Sequence, residues 1–397
     1  WYGYVQDKLP KFNVKKNLMK NKVKHKIAVI GGGIMGVSTC YNLLKHEKDI
    51  CLIDRLQPNS QASGSNAGSL HVQLLSYDFD PNNLNQLENM KTLLKLQKKA
   101  VLEWKDIEHD TKSNFEISYD GGLMFAENEK DLEKLNMKIE VEQSVGVNSQ
   151  LINQDQIQKI NPLFSDKMIY AGYCPSEGKI NPLKATNSIF ENCKQNGLTA
   201  YCDDLIQAIE KKSGKFIIIT DNHEIEVDKV VNCAGSWANN IASFLDLPLK
   251  VKSVPQQMIV TEALEYKLKL LVAHIGRHLT LKQATNGNFI IGGGWTANYS
   301  KNTDHLHALK DSFEGNTWVA KRVIPNLSNV NILRSWAAMS VDVGGYPLMG
   351  EHPLMKDFYT LVSSNGYTLG PTLGKILCQQ IIYDKVEYNL FDKNRLN

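Results

Sequence analysis

The sequence predicts a mixed α/β (α+β) fold: a Rossmann-like nucleotide-binding domain and a second domain built on an antiparallel sheet. Three observations predict it. A short, fully apolar run at residues 27–30 leads directly into glycines and then a helical segment, the start of a βαβ unit. From about 199 to 295 the pattern changes to short strands with turn residues between them. The chain then closes on a strand, a glycine-rich loop and a helix between 358 and 383, so the first domain is expected to draw on separated segments.

The elements follow in order. Ile27-Ala28-Val29-Ile30 reads as a buried parallel strand, and a helix is expected from about 34 to 46. A second apolar run at 50–53 ends at Asp54. Leu87, Met90, Leu94, Val101 and Trp104 recur at helical spacing, as do Leu132, Leu135 and Ile139. Residues 216–219 and 225–231 flank the polar pair Asp221-Asn222 and read as a hairpin. Residues 250–295 are mostly strand-like, broken at Gly292-Gly293-Gly294. After a strand at 358–362 and a loop at 365–370, a helix is expected from about Thr372 to Tyr383, with Pro371 at or near its first position. The nucleotide-binding domain is therefore expected from 22–85, 150–237 and 345–397. The second domain takes 86–149 and 238–344, and 1–21 form a basic extension.

Composition narrows the class. The chain has 397 residues, 42% apolar and 22% charged, which excludes a disordered protein. Lys and Arg number 45 against 42 acidic residues, a net charge of +3, so nothing argues for nucleic acid as a partner. The one basic stretch, Lys8, Lys11, Lys15, Lys16, Lys20, Lys22, Lys24 and Lys26, is expected to be a solvated extension ahead of the first strand. No run of 18 apolar residues exists, so no membrane span is expected. No secretory signal is visible, and the seven cysteines show no C-x-x-C spacing. This pattern fits reduced thiols in the cytoplasm and argues against zinc or iron–sulfur centres.

The chemistry begins at Gly31-Gly32-Gly33-Ile34-Met35-Gly36, a G-x-G-x-x-G between a strand and a helix. Such glycines make the tight turn, admit a pyrophosphate close to the backbone, and let helix and strand pack. The helix N-terminus offers free N–H groups and a positive dipole end. Asp54 ends the second strand, where a carboxylate accepts from an adenosine ribose. The pattern alone does not separate NAD from FAD. Ala62-Ser63-Gly64-Ser65-Asn66-Ala67-Gly68-Ser69 is a run of small residues that can lie against a cofactor or form a plain loop.

Taken with Val231-Asn232-Cys233-Ala234-Gly235-Ser236-Trp237 and Gly366-Tyr367-Thr368-Leu369-Gly370-Pro371-Thr372, these motifs resemble the D-amino-acid oxidase family of FAD-dependent oxidoreductases, which includes glycine oxidase and sarcosine oxidase. The likeness runs from about Lys26 to Tyr383. It is nearest to the flavin subunits of opine oxidase, hydrogen cyanide synthase and D-hydroxyproline dehydrogenase, on three stretches: 67–73, 255–262 and Arg334-Ser335-Trp336-Ala337-Ala338. On that likeness FAD contacts fall on Gly31, Gly33, Ile34, Met35, Gly36, Asp54, Arg55, Ala62, Ser63, Asn66, Ala67, Gly68 and Leu70. Further contacts fall on Ile206, beside Leu205, for the adenine; on Ala234, Gly235 and Trp237; and on Gly366, Tyr367, Leu369, Gly370, Pro371 and Thr372.

The departures bear on substrate. Where many relatives carry an Arg that pairs with the substrate carboxylate, this chain has Ser340. Arg277, Lys282 or Arg334 can replace it, or can be surface or structural charges. Sarcosine oxidases attach flavin through a Cys near this region; here there is none, so the resemblance implies noncovalent FAD. His71 follows the small-residue run as a candidate acid, base or donor, or as a packed histidine. His305-Leu306-His307 reads as an exposed helix face and no metal is expected.

The function implied is oxidation of the C–N bond of an amino acid or secondary amine by hydride transfer to flavin N5, with His71, Ser340 and Lys282 as candidate catalytic residues. Electrons would pass to O₂ or to an electron-carrying partner subunit, as in heteromeric relatives. Two alternatives stand beside it: an FAD-dependent hydroxy-acid dehydrogenase, and a non-catalytic flavoprotein subunit of a complex.

Overall fold

The computed structural model describes residues 20–76, 79, 86–300, 305–391 and 393–396. The first elements are β1 (Asn21–Ile30), α1 (Ile34–Leu43), β2 (Ile50–Ile53), β3 (Ser69–Leu70) and α2 (Leu87–Asp110). Then come β4 (Gly122–Ala126), α3 (Glu129–Ser144), β5 (Gln150–Asn153), α4 (Gln154–Ile160), β6 (Tyr170–Cys174), β7 (Gly178–Lys179) and α5 (Pro182–Gln195). The strands β8 (Thr199–Tyr201), β9 (Ile206–Lys212), β10 (Lys215–Thr220) and β11 (His223–Asn232) precede α6 (Ala238–Ser243). A second series follows: β12 (Lys252–Ala263), β13 (Leu271–His274), β14 (Thr280–Gln283), β15 (Asn288–Gly292), β16 (Ala297–Ser300) and β17 (His305–Ala308). The chain ends with α7 (Lys310–Val323), β18 (Ile332–Asp342), β19 (Leu348–His352), β20 (Met355–Val362) and α8 (Gly366–Tyr383).

Two eight-stranded sheets carry the fold. The first runs β19-β20-β11-β1-β2-β8, with the β9–β10 hairpin attached to β11. Its central strands are parallel: β1 pairs with β2 and β11, and β11 with β20. The last four residues of β1 and all of β2 are apolar and buried because both faces are covered there. Ile27, Val29, Ile50 and Leu52 point into a core shared with α1, α2, α5 and α8. Ala28, Ile30, Cys51 and Ile53 point the other way, toward Phe216, Ile218 and Ile241. The second sheet runs β18-β12-β15-β14-β13-β4-β6-β5 and is antiparallel except where β13 meets β4. It packs against α7 on one face and against Leu135 and Ile139 of α3 on the other.

Several expectations are corrected. The boundary placed at 150 does not follow the sheets, because β5 pairs with β6 and β6 with β4 in the second sheet. Helix α2, assigned from sequence to the second domain, buries Met90, Leu94, Val101 and Trp104 in the core of the first. The lysines from Lys8 to Lys16 lie outside the described residues. Lys22 and Lys24, expected ahead of the first strand, are inside β1, where the parallel register sets them against Glu224 and Glu226 at 3.0 Å each. The His305 and His307 pair is on a strand, β17, paired with β16.

Helix α8 starts at Gly366, six residues before its expected start, so Pro371 stands inside it and not at its first turn. The glycines that look like loop residues are packing residues. A Cβ on Gly374 would come within 2.9 Å of the Ser38 and Thr39 backbone, and one on Gly370 within 2.9 Å of Ile34. They let α8 lie directly on α1. All seven cysteines are free. Among the described residues no helix is long and apolar enough to cross a membrane.

Candidate functional site

The glycine turn sits between β1 and α1, at the carboxyl end of the parallel strands, where open α/β sheets form their binding crevice. Gly31 has φ +106°, a conformation side chains oppose, and its N–H donates to Ile53 at 2.9 Å. A Cβ there would meet the Cys233 backbone at 2.8 Å. Cys233 in turn donates its N–H to Ile30 at 2.8 Å, which brings Ala234, Gly235 and Trp237 beside the turn. Gly33 caps α1 without a side-chain bond, no acid stands in the first turn, and Ile34, Met35 and Gly36 are buried. The positive end of the helix dipole is therefore uncompensated.

Asp54 closes the turn from below: Oδ2 accepts from Gly32 N–H at 2.5 Å and Oδ1 from Leu56 N–H at 2.9 Å. Burial raises its carboxyl above the usual aspartate range, against those two N–H groups. Arg55 lies over the Trp237 ring, 4.1 Å from its centroid. Arg55 and Trp237 line a cavity of about 260 Å³ with Leu56, Gln61, Tyr299, Leu306 and Met339. Ile206 is buried at the start of β9. The carbonyl of its neighbour Leu205 already accepts from Asp221, so the strand reading accounts for that oxygen.

The small-residue run folds under the turn. Ser63 Oγ accepts from Ile34 N–H at 2.9 Å; sequence reading missed this partial cap and placed the hydroxyl against a ligand. Ala62 precedes it, and Asn66 Oδ1 accepts from Gly68 N–H at 2.6 Å, across Ala67. Gly68 has φ +78° and Leu70 is fully buried in β3. The Trp336 indole donates to the Ser65 carbonyl at 3.0 Å, so the second sheet closes over this loop.

Helix α8 completes the cradle. Its first residue, Gly366, faces Met35 and Ile34, and the buried Asn365 Nδ2 at its cap has no partner among the described residues. The side chains of Tyr367, Leu369, Pro371 and Thr372 turn inward. Tyr367 stacks on Trp104 with centroids 5.4 Å apart and donates to the Pro182 carbonyl at 3.0 Å. Thr372 donates to Glu103. Thr368, part of the motif but not of the expected contacts, accepts the His71 N–H at 3.0 Å and so ties His71 to the first turn of α8.

Of the candidate cations, Arg277 is structural: it shares Glu127 with Arg322, at 3.1 and 2.7 Å. Arg334 is exposed and lies 5.2 Å from the Trp336 centroid. Lys282 is neither surface nor paired. It is 4% exposed, its Nζ reaches only the Ile180 carbonyl at 3.4 Å, and a Cβ on Gly68 would sit 2.9 Å from it. Burial, with Lys179 nearby and Glu116 opposing, lowers its pKa to about 7. Ser340 lies in β18, its carbonyl 2.8 Å from Ser236 Oγ, half-buried on the strand that carries Trp336. The carboxylate nearest His71, Glu177, was not legible in sequence, since it arrives from 106 residues away.

These features define a dinucleotide-binding oxidoreductase fold: a glycine turn, a small-residue loop and a second helix N-terminus around one crevice, roofed by a separate sheet. The family model for FAD-dependent oxidoreductases of the DAO type matches residues 26–380, and the chain belongs to that family. It is 24% identical over 381 residues to one of the subunits of opine oxidase from Agrobacterium tumefaciens, covering 92% of this chain and 95% of that one. L-Proline dehydrogenase from P. horikoshii superposes with a TM-score of 0.81 at 22% identity, covering 92% and 96% of the two chains. L-α-Glycerophosphate oxidase from Mycoplasma pneumoniae, solved with FAD bound, gives 0.76 at 19% identity, covering 94% and 98%. The protein is thus an FAD-dependent oxidoreductase. The residues fit that cofactor: a helix N-terminus with no acid in its first turn and only the Ser63 hydroxyl as a partial cap, a donor on Asn365 orphaned among the described residues, and a turn where Gly31 and Gly36 leave no room for a Cβ.

Proposed function

We propose that the chain oxidises the C–N bond of an amino acid or secondary amine. The observation that carries this reading is Lys282: a buried cation with no carboxylate in reach among the described residues, in the wall beside Gly68. A buried charge without a counter-ion is costly, and an anionic substrate group removes that cost. With Ser340 in place of an Arg, Lys282 holds the substrate carboxylate. The first turns of α1 and α8 hold FAD, at Gly31, Gly33 and the backbone from Gly366 to Thr372, with Asp54 and Arg55 toward the adenosine end. FAD, when bound, accepts the hydride that leaves the carbon next to nitrogen. The protein's part is orientation and exclusion of water, and the resulting imine hydrolyses to a keto product and an amine.

Two names among the relatives support the reading, opine oxidase and proline dehydrogenase, since proline is itself a secondary amine. The opine oxidase chain is by name one part of a larger enzyme, which fits a hetero-oligomer passing electrons to a partner; O₂ is the other acceptor. Noncovalent FAD is supported by Cys233 beside the turn: burial pushes its thiol up to about 12, so it is a poor nucleophile at neutral pH.

Product analysis tests the reaction. Incubation with sarcosine, D- and L-amino acids, hydroxyproline and opines should give a trapped keto acid or aldehyde and an equivalent of amine from at least one. Turnover of a hydroxy acid or glycerol phosphate, with no amine substrate, would overturn the C–N assignment.

A further inference from the structure

The segment that follows the small-residue loop, residues 71–74, has no regular structure, yet its backbone N–H groups are buried and satisfied. The Thr368 hydroxyl takes the His71 N–H, and two buried carboxylates take the other three. Glu177 Oε1 accepts from Val72 and Gln73 N–H at 3.1 and 3.0 Å. Glu142 Oε1 accepts from Leu74 N–H at 2.8 Å. Lys138, fully buried on α3, bridges them: its Nζ lies 2.7 Å from Glu142 Oε1 and 3.0 Å from Gln73 Oε1.

The donors and acceptors in this network can be assigned in sequence. Lys138 can only donate, so the Gln73 atom facing it is the oxygen. The Gln73 Nε2 group therefore faces Glu177 Oε2, at 3.2 Å, and donates to it. Glu177 thus accepts at both oxygens and is ionised. Burial opposes this; His71, the Gln73 N–H and Lys138 outweigh burial and hold the carboxyl below the usual glutamate range. The remaining contact, His71 Nδ1 to Glu177 Oε1 at 3.4 Å, must then carry its proton on the histidine. Among the described residues His71 Nε2 has no hydrogen-bond partner, and it is not among the fully buried unpartnered atoms, so it keeps some exposure and is free to accept.

We propose that Glu177 is a positioning residue that fixes His71 as the Nδ1–H tautomer, so that Nε2 accepts the ammonium proton of the amine substrate. This rests on the C–N reading above. An ammonium group has no lone pair to assist loss of hydride from the neighbouring carbon. In the proposed step the substrate N–H bond breaks, its electron pair stays on nitrogen, and the proton bonds to Nε2. The buried charges then balance: Glu177 and Glu142 are negative, Lys138 and the imidazolium positive. Cys174, facing both carboxylates from β6, stays a thiol, because burial pushes its pKa up to about 12. Thr368 holds the His71 backbone from α8.

The test uses FAD-loaded protein labelled with ¹⁵N-histidine. The His71 resonances are assigned by their loss in His71→Gln. At alkaline pH the wild type should show a protonated Nδ1 and a bare Nε2, and Glu177→Gln should show the other tautomer or a mixture. A wild-type Nε2–H tautomer overturns the positioning role. In anaerobic reduction by an amine, Glu177→Gln should keep its FAD and move the acidic limb of the rate–pH profile down by about one pH unit. His71→Gln should lose that limb. A purely structural role lowers FAD content and leaves the limb in place, which contradicts the proposal. The NMR arm reads out even where no amine reduces the wild type, so failure of the C–N reading and failure of this assignment are distinguishable.

Discussion

At the scale of single residues, Lys282 is the most consequential and the least expected. Its chemistry follows from where it sits: a primary amine with one long contact, pressed against Gly68 and the Ile180 carbonyl. Its pKa of about 7, against an ordinary 10.5, has a stability consequence with a definite sign. Between these values the unfolded chain binds the proton and the folded chain does not, so stability rises with pH across that window. Lys282→Met should therefore stabilise the FAD-free protein most below pH 7 and least near pH 10, read as the difference in melting temperature between variant and wild type along a pH series. A difference that does not change with pH would show that the amine is solvated. The sequence made Lys282 one of three alternatives and could not rank them, because Arg277 becomes structural only through Glu127, 150 residues away. The glycine turn was legible because its requirement is local. Glu177 was not, nor were the contacts of Ser63 with Ile34 and of Thr368 with His71, because each is a contact that the fold alone creates.

At the scale of elements, the legible features were those with an internal period. The fully apolar runs at 27–30 and 50–53 were legible as two buried strands, and their residues divide between two cores. Helix α8 misled for a physical reason: Gly366 and Gly370 signal a loop by propensity, but Gly370, with Gly374, serves close packing on α1, and tertiary contact outweighs propensity. The pair His305 and His307 misled because alternate residues on a short exposed strand share one face, as the stacked rings show at 5.4 Å. Helix α3 carries a cost of its own. Lys138 and Glu142 are an i,i+4 pair with no exposure, and removing one partner strands the other. Lys138→Met should destabilise the protein by about 3–5 kcal/mol, measured by denaturant unfolding. Loss of less than about 1 kcal/mol would place the pair in the solvated class.

At the scale of the molecule, two sheets divide the work. The first presents its parallel strand ends to the nucleotide; the second closes over the loop through Trp336 and supplies Lys282. Composition and motif order predicted this division, but not that β5 and β6 belong to the second sheet, since a strand pattern does not name its partner. The central claim is that the glycine cradle holds FAD for amine oxidation. The most direct test is the anaerobic visible spectrum of wild type and Gly33→Val, before and after an amine substrate. A Cβ at Gly33 meets only Ser63, at 3.0 Å, and its φ of −76° suits any residue, so the variant should fold. The wild type should be yellow and bleached by the amine, and the variant folded and colourless. A variant with full flavin content, or a wild type that only hydroxy compounds bleach, would contradict that claim.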